Sequence, residues 1–400
     1  MDFYLMCVLA NEAHEGASYG EAMYAASRIK DNDPVSWVNE WLALGRRCEE
    51  HANEALSKGH KISARQSFLH AYTYYRWGVH GMRTSDPRRT ETYHKFVSCF
   101  RKGASLLDAP IEPIQVPWKL RGDDVHLPGY FMRPDDSGAK CPTVIIMNGG
   151  EVYPEDQYFW GGAEALRRGY NILSVAYDSS MAAPILYPDW GPLVVEDVMK
   201  PPGFHACMVD YALSRKETDP ERLAGFGLSS GGYQVAHQAS CDKRLKAVIL
   251  AAPLYDIYAM LSDEIPKAMQ NAPSFVMKAL TSVATAVNPF TKVAIESAMS
   301  LARVNNMRDW MDMAKRIPPV DPRSVTCPCL CLVGEGDADQ EITQCRSFFE
   351  NVGTSTKAIR VFTREDGASV HCQVDNMSLL AQVAYDWLDE VFDYKYESNK

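Results

Sequence analysis

A short motif rich in glycine and serine constrains this chain more than any other feature of its sequence. Residues 227–231 read G-L-S-S-G, between an apolar run at 223–226 and a helix-forming run at 233–237. A serine between a strand and a helix in the pattern G-x-S-x-G sits on a sharp, strained turn that lifts its hydroxyl above the sheet. Glycines two residues before and after it remove side chains that would clash. We therefore predict a nucleophile at Ser229, with Ser230 as the alternative.

Later segments supply an acid and a base in the order that such a serine requires. Asp337 lies in a loop after the β-rich run 328–333, and Asp339 in the same loop is the second candidate. His371 is the only histidine after Asp337, and it lies in a polar loop between a strand at 358–362 and a closing amphipathic helix at 377–392. The chain order Ser, Asp, His predicts a triad in which His371 is the general base and Asp337 orients it.

The loop after another apolar strand is a candidate oxyanion hole. The strand at 143–147 ends in Asn148-Gly149-Gly150-Glu151, where residues without side chains allow backbone amides to approach a carbonyl oxygen. The amide of Ser230, directly after the nucleophile, is the first expected donor. Gly150 is the second expected donor, and Glu151 is its alternative.

Strands and helices alternate along the middle of the chain. We predict strands at 143–147, 171–177, 223–226 and 246–251, helices at 162–168 and 202–215, and antiparallel edge strands at 115–118 and 130–133. This order indicates a mostly parallel, doubly wound sheet with helices on both faces. With the predicted triad, it is the α/β-hydrolase fold.

Two helical regions are predicted in addition to this sheet, one before it and one inserted within it. Residues 1–110 contain three amphipathic helical patterns between 34 and 107 and are predicted to form an N-terminal helical domain. Residues 111–400 are predicted to form the catalytic domain, with a methionine-rich helical lid inserted at about 254–323. Tyr233, Asp256 and Tyr258 are candidate substrate contacts.

Composition excludes several classes of partner. The net charge is -10, so the chain has no basic surface for nucleic acid. The apolar run at 1–10 lacks a basic leader and is too short to cross a bilayer, so we expect a buried helix and no membrane association. Eleven cysteines without framework spacing indicate a reducing, cytoplasmic location. We read Cys327, Cys329 and Cys331 as buried thiols and expect no metal and no cofactor.

The motifs above resemble one branch of the α/β-hydrolases. That branch contains fungal polyketide-pathway hydrolases of the fusarin-cluster type and, more distantly, 2,6-dihydropseudooxynicotine hydrolase. The resemblance covers nearly the whole chain. Its marks are Asp2-Phe3-Tyr4-Leu5, Gly20-Glu21-Ala22, the pairs Ser36-Trp37 and Glu40-Trp41, Asn148-Gly149-Gly150, the motif at 227–233, and the segments 365–368 and 371–373.

The resemblance carries three implications. It implies that the N-terminal helical domain caps the active site, that Ser229, Asp337 and His371 form the triad, and that proteins of this type are frequently homodimers. Glu151 departs from the pattern, because many relatives carry Asp after the small residues of the oxyanion loop. The resemblance therefore implies no substrate contact for the Glu151 carboxylate.

Several reactions on a small-molecule substrate fit these residues. The expected function is attack of Ser229 on an activated carbonyl, an ester, thioester or β-dicarbonyl, of a polyketide-like substrate in secondary metabolism. The alternative is a cyclase or condensation catalyst acting on a polyketide-amino acid intermediate without hydrolysis. A third interpretation is a scaffold protein that kept the fold and lost the chemistry.

Overall fold

The computed structural model describes residues 2–147, 149–176, 181–190, 203–264, 276, 282 and 288–396. Contacts within the chain divide it into two units. One unit is Met1–Ile111 with Pro273–Ser300, and the other is Glu112–Ala272 with Leu301–Lys400. The sequence-based division places all of 254–323 with the catalytic domain, whereas these contacts group Pro273–Ser300 with the N-terminal helices. The capping role of the helical domain stays a prediction.

The N-terminal unit consists of amphipathic helices. They are α1 (Asp2–Ala10), α2 (Tyr19–Ala26), α3 (Pro34–Ser57), α4 (Lys61–His80) and α5 (Arg88–Ala104). Helix α3 begins at Pro34 because the Asp33 side chain accepts a hydrogen bond from the Val35 amide over 2.9 Å. Its buried positions recur every three or four residues and form one apolar face. These positions are Trp37, Val38, Trp41, Leu44, Gly45, Cys48 and Ala52.

Aromatic stacking and a glycine bring α3 close to α4. The Trp41 ring stacks on Tyr74, with ring centroids 5.7 Å apart. A Cβ at Gly45 would lie 2.8 Å from the Tyr75 ring, so this close approach requires a residue without a side chain. The segment grouped with these helices contacts them too, since Phe290 lies 5.8 Å from Trp37 and Glu296 pairs with Arg83 over 2.7 Å.

Within this unit, Glu21, Cys48 and His70 lie close enough together to serve as a set of metal ligands. The hydrogen bonds of Glu21 already account for the arrangement: its carboxylate lies 3.0 Å from His70 Nδ1 and accepts from the Tyr74 hydroxyl over 2.9 Å. The hydrogen bond from His70 is the largest influence on the pKa of Glu21 and lowers it, against the effect of burial. We read the cluster as a polar link between α2 and α4.

Replacing Glu21 by Gln is expected to destabilise the helical unit. At neutral pH we expect a loss of about 1 kcal/mol in the free energy of unfolding, since the charge-assisted hydrogen bonds are lost and the side chain is partly exposed. A carboxylate with a lowered pKa stabilises the fold above its unfolded pKa, and this stabilisation disappears as the pH falls through the folded pKa. Urea unfolding at several pH values would therefore show the difference from wild type shrinking in acid. Glu54→Gln, which removes a surface pair with Lys58, is the control, and an equal effect in that variant would contradict the prediction.

The second unit is built on one sheet. Among the described residues, eight strands pair in the order β1-β2-β4-β3-β5-β6-β7-β8. The strands are β1 (Ile111–Leu120), β2 (Asp123–Met132), β3 (Cys141–Met147), β4 (Asn171–Val175), β5 (Thr218–Leu228), β6 (Ala247–Ala251), β7 (Cys329–Gly334) and β8 (Lys357–Phe362). β2 pairs antiparallel with β4, and the pairs from β4 through β8 are parallel.

Burial along the strands matches this arrangement. β3, β4, β6 and β7 are buried along their whole length, as expected for parallel strands covered on both faces. β1 alternates between buried and exposed residues from Pro113 to Leu120, as expected for an edge strand. Arg121 and Gly122 both have positive φ, which is the geometry of the tight turn that joins β1 to β2. The predicted α/β-hydrolase fold is confirmed.

More helices follow along the chain. Those described are α6 (Ala163–Arg167), α7 (Ala183–Leu186), α8 (Gly203–Ser214), α9 (Ser230–Cys241), α10 (Ile257–Glu264), α11 (Pro289–Leu301), α12 (Met307–Ala314), α13 (Asp339–Asn351) and α14 (Met377–Phe392). All of them except α11, which is grouped with the N-terminal unit up to Ser300, belong to the second unit. Tyr177 and Pro202, predicted ends of a strand and a helix, lie outside the described residues. None of the helices in the described part of the chain has both the length and the apolar composition to cross a membrane.

Cys329 and Cys331 lie on β7, as expected from strand alternation, and Cys327 lies two residues before the strand begins. Cys329 and Cys331 are buried, their sulfur atoms lie 3.9 Å apart, and Cys327 is partly buried. All 11 cysteines are free thiols. Side chains two residues apart on a strand point to the same face, so these thiols pack into the core beside α13.

Candidate active site

The serine of the G-x-S-x-G motif occupies the turn between β5 and α9. Ser229 has φ 57° and ψ −126°, a strained conformation for a residue with a side chain. The backbone around it is fixed, because the Ser229 amide donates to Ala251 O over 2.9 Å and the Gly232 amide donates to Ser229 O over 2.8 Å. Ser230 is the first residue of α9, and its buried hydroxyl has no hydrogen-bond partner among the described residues. The elbow geometry therefore belongs to Ser229.

The glycine two residues before Ser229 allows the helix to start so close to the strand. A Cβ on Gly227 would overlap Gly231 O and would lie 2.7 Å from Gly232 Cα. These neighbours are backbone atoms, so they cannot rotate away as a side chain can. The small residues of the motif therefore serve the approach of α9 to β5, as the sequence predicts.

Gly227→Ala is expected to displace the first turn of α9. We expect the free energy of unfolding to fall by about 1–3 kcal/mol, the range typical of overpacked sites. The reactivity of Ser229 should fall by about 100-fold, because a shift of about 1 Å in a reacting group has effects of this size. The measurements are urea unfolding and the rate of labelling by a fluorophosphonate.

Gly20→Ala is the control for this substitution, since a Cβ there meets no atom within 4 Å. It should leave the labelling rate unchanged. A Gly227→Ala protein that labels at the wild-type rate would contradict the role assigned to this contact.

The structure brings the predicted acid and base together. His371 Nδ1 lies 2.7 Å from Asp337 Oδ1, and Asp337 Oδ2 accepts from the Gly334 amide over 2.7 Å. The Asp337 side chain is fully buried, whereas 27% of the His371 side chain is exposed. Asp339, the second candidate, is the exposed first residue of α13. Of the two candidates, Asp337 is therefore the one whose carboxylate bonds to His371.

Glycines at the end of β7 allow the acid loop to meet the histidine loop. A Cβ on Gly334 would overlap Ser369 O, and one on Gly336 would lie 2.8 Å from the same oxygen. The Gly336 amide also donates to Ser369 O over 3.0 Å. This bond joins the two loops just beside His371, so the Asp337–His371 hydrogen bond rests on a fixed backbone.

A second carboxylate, which the sequence analysis did not identify, also reaches the histidine. Glu341 Oε1 lies 3.3 Å from His371 Nδ1, and only 13% of the Glu341 side chain is exposed. Carboxylates only accept hydrogen bonds, so His371 Nδ1 carries the proton and Nε2 of the neutral ring is the free acceptor. Glu341 is the third residue of α13 and follows Asp337 by four positions, and this spacing was the available signal.

Despite burial, the charges around His371 raise its pKa and so favour the positively charged imidazolium. Burial is the largest influence on the pKa of His371 and lowers it, but Cys372, Asp337 and Glu341 together raise it well above its ordinary value. Burial also raises the pKa of Asp337, against the hydrogen bond from His371. Burial acts in the same direction on Glu341, but the hydrogen bond from His371 leaves the pKa of Glu341 below its ordinary value.

The predicted oxyanion loop lies against the nucleophile. A Cβ on Gly149 would lie 3.0 Å from Ser229 Cβ and 3.3 Å from Ser229 Oγ, so the loop after β3 passes directly beside the serine. Gly150 follows in this loop, with a side-chain atom of Leu301 2.9 Å from the position of its Cβ. The Ser230 amide is at the N-terminus of α9, where backbone amides lack partners within the helix. Asn148 lies outside the described residues, and the donor roles of Gly150, Glu151 and Ser230 stay predictions.

The candidate substrate contacts have partners within the protein. The Tyr233 hydroxyl donates to Pro318 O over 2.7 Å, and the Asp256 carboxylate caps α10 by accepting from the Ala259 amide over 2.8 Å. The Tyr258 ring lies 5.6 Å from Lys315 Nζ. Contact of these three residues with a substrate stays a prediction.

Buried Gln344 fixes the segment that carries two of these candidates. Its side-chain oxygen accepts from the amides of Tyr255 and Asp256, and its nitrogen donates to Asp256 O, each over 2.9 Å. Gln344 lies on α13, the same helix as Glu341. The segment after β6 is therefore tied to the helix that reaches His371.

The sheet order and the strand-turn-helix serine define an α/β-hydrolase. Residues 186–395, just over half of the chain, match the model of the prolyl oligopeptidase family, Peptidase_S9. The chain belongs to this family.

Curated fungal α/β-hydrolases are similar to the chain along its whole length. The α/β-hydrolase xenA of Xenoacremonium sinensis is 26% identical over 98% of this chain and 97% of its own. The 20-hydroxy-prefusarin hydrolase FUS2 of Gibberella moniliformis is 26% identical with the same coverage of both chains. The predicted resemblance to fusarin-type fungal hydrolases is confirmed.

Solved structures share the fold. The 2,6-dihydroxy-pseudo-oxynicotine hydrolase superposes with a TM-score of 0.71 at 18% identity, over 98% of both chains. AbyA5 superposes with a TM-score of 0.61 at 16% identity, over 93% of this chain and 90% of its own. At this level of identity the similarity shows the fold alone.

Proposed function

We propose that this chain is a serine hydrolase that attacks an activated carbonyl of a polyketide-like substrate in fungal secondary metabolism. One observation carries the proposal: a strained serine at the strand-helix turn occurs in the same unit as a histidine whose Nδ1 lies 2.7 Å from a buried carboxylate. The full-length similarity to fungal hydrolases, one of which is named for 20-hydroxy-prefusarin, supports the substrate class.

The chemistry begins with proton transfer within the triad. His371 Nε2 accepts the proton of Ser229 Oγ as that oxygen forms a bond to the carbonyl carbon, and Asp337 stabilises the resulting imidazolium. The amides of Ser230 and Gly150, with Glu151 as the alternative to Gly150, stabilise the oxyanion. Collapse of this intermediate breaks the bond to the leaving group, which takes the proton from His371, and leaves an acyl-enzyme.

The acceptor of the acyl group distinguishes hydrolysis from cyclisation. Water activated by His371 would release an acid, whereas a nucleophile within the same substrate would release a ring. The residues named above serve both outcomes up to the acyl-enzyme. We propose hydrolysis because the similar curated proteins are named as hydrolases.

Labelling by a fluorophosphonate tests the nucleophile without knowledge of the substrate. Intact mass should show one adduct on wild type and on Ser230→Ala, and none on Ser229→Ala. His371→Ala should label about 10²–10⁴-fold more slowly, the usual contribution of a general base. Ser230→Ala is the matched control, since it removes the neighbouring hydroxyl. Folded wild type that never labels would favour the scaffold interpretation.

Product analysis separates the reactions. Incubation in ¹⁸O-water with a p-nitrophenyl ester, an acyl thioester and a 1,3-diketone should place one ¹⁸O in the carboxylate of each product formed. All turnover should disappear in Ser229→Ala. A polyketide-amino acid thioester converted to a product without ¹⁸O would instead establish the cyclase.

A further inference from the structure

Glu341 and Asp337 each place one carboxylate oxygen near His371 Nδ1 and bind a backbone amide with the other. Each carboxylate has one oxygen bound to a backbone amide, Asp337 to that of Gly334 over 2.7 Å and Glu341 to that of Ala338 over 3.1 Å. The other oxygen of each lies near Nδ1, at 2.7 Å for Asp337 and 3.3 Å for Glu341. Nδ1 therefore has two anionic acceptors for one proton.

Capping of α13 does not by itself explain this arrangement. A glutamate at the third position of a helix caps it with one oxygen, and this role does not require the other oxygen to be buried. Here the side chain is largely buried, and burial of a carboxylate is unfavourable unless a partner compensates it. Among the described residues, His371 is the ionisable partner of Glu341 Oε1.

We propose that Glu341 is a positioning residue of this site, which shares the Nδ1 proton of His371 with Asp337, holds the imidazole in place and stabilises its protonated form as Ser229 attacks. This inference rests on the proposed function. Glu341 acts through His371 and is not assigned a contact with the substrate.

The proposal predicts a particular pH dependence. Burial lowers the pKa of His371. Among the described residues, three ionisable groups raise it: Cys372, which is next to His371 in the chain, Asp337 in the loop after β7, and Glu341 on α13. His371 must be neutral to accept a proton, so reactivity rises as the pH passes upward through its pKa. Glu341→Gln removes one of the raising influences, so the acid limb of the profile should move to lower pH.

The first test is the rate of Ser229 labelling by a fluorophosphonate between pH 5 and 10. In this reaction a bond forms from Ser229 Oγ to phosphorus, fluoride leaves, and the serine proton passes to His371 Nε2. In Glu341→Gln the midpoint of the acid limb should fall by about 0.5–1 pH unit, a typical influence of one nearby charge. The plateau rate should fall several-fold, because the imidazolium loses one of its two counter-charges.

The substitution is chosen to keep the helix intact. Gln retains an oxygen that accepts from the Ala338 amide, so the cap of α13 survives while the charge on Oε1 is removed. Glu350→Gln, an exposed position on the same helix, is the control and should leave the profile unchanged.

A double variant tests the sharing of the proton. If Glu341 accepts from Nδ1 when Asp337 is removed, the Asp337→Ala protein should still be labelled at a measurable rate. Adding Glu341→Gln to this variant should lower the labelling rate by a further tenfold or more, about the scale on which general-base contributions vary. This extra loss should exceed the effect of Glu341→Gln on the wild-type background.

Titration by NMR gives a readout that is independent of the covalent probe. With ¹⁵N-labelled histidine, and His371→Gln to assign the signal, the pKa of His371 should be lower in Glu341→Gln than in wild type. The proposal would be overturned if wild type labels normally while Glu341→Gln shows the same midpoint and the same His371 pKa as wild type. Glu341 would then be only a helix cap. Wild type that never labels would overturn the proposed function and this inference together.

Discussion

The contact between β5 and the first turn of α9 is the constraint on which the site depends. Gly227 lies so close to the backbone of Gly231 that no side chain fits between them, and this approach holds Ser229 at positive φ. The strained conformation persists because the turn is bound to a neighbouring strand. The Ser229 amide donates to Ala251 O at the end of β6, which lies beside β5 in the sheet. The sheet therefore provides the rigidity that a strained serine requires.

The acid and the base depend on a second close backbone approach. Gly334 and Gly336 let the loop after β7 meet Ser369, and a backbone hydrogen bond joins them. This backbone contact fixes the loops that carry Asp337 and His371 independently of the hydrogen bond between their side chains. The hydrogen bond at Nδ1 then selects the tautomer in which Nε2 of the neutral ring is an acceptor.

Helix α13 connects this group to the rest of the unit. Glu341 at its start reaches His371, and Gln344 one turn later binds the segment after β6 through three hydrogen bonds. Asp256, expected to contact substrate, caps α10 in that segment. One helix thus contacts both His371 and the segment that follows the strand next to the elbow.

Local patterns in the sequence determined the motif around Ser229, the order of the predicted triad residues and the last helix. The glycine spacing around Ser229, the order Ser229, Asp337, His371, and the closing helix Met377–Phe392 are readable because side-chain clashes and periodicity act over a few residues. The hydrogen bond between Asp337 and His371, the approach of Glu341 to His371, and the grouping of Pro273–Ser300 with the N-terminal helices were decided only by the tertiary structure. Each depends on segments far apart in the chain meeting in space, and no local spacing encodes which oxygen reaches a given nitrogen.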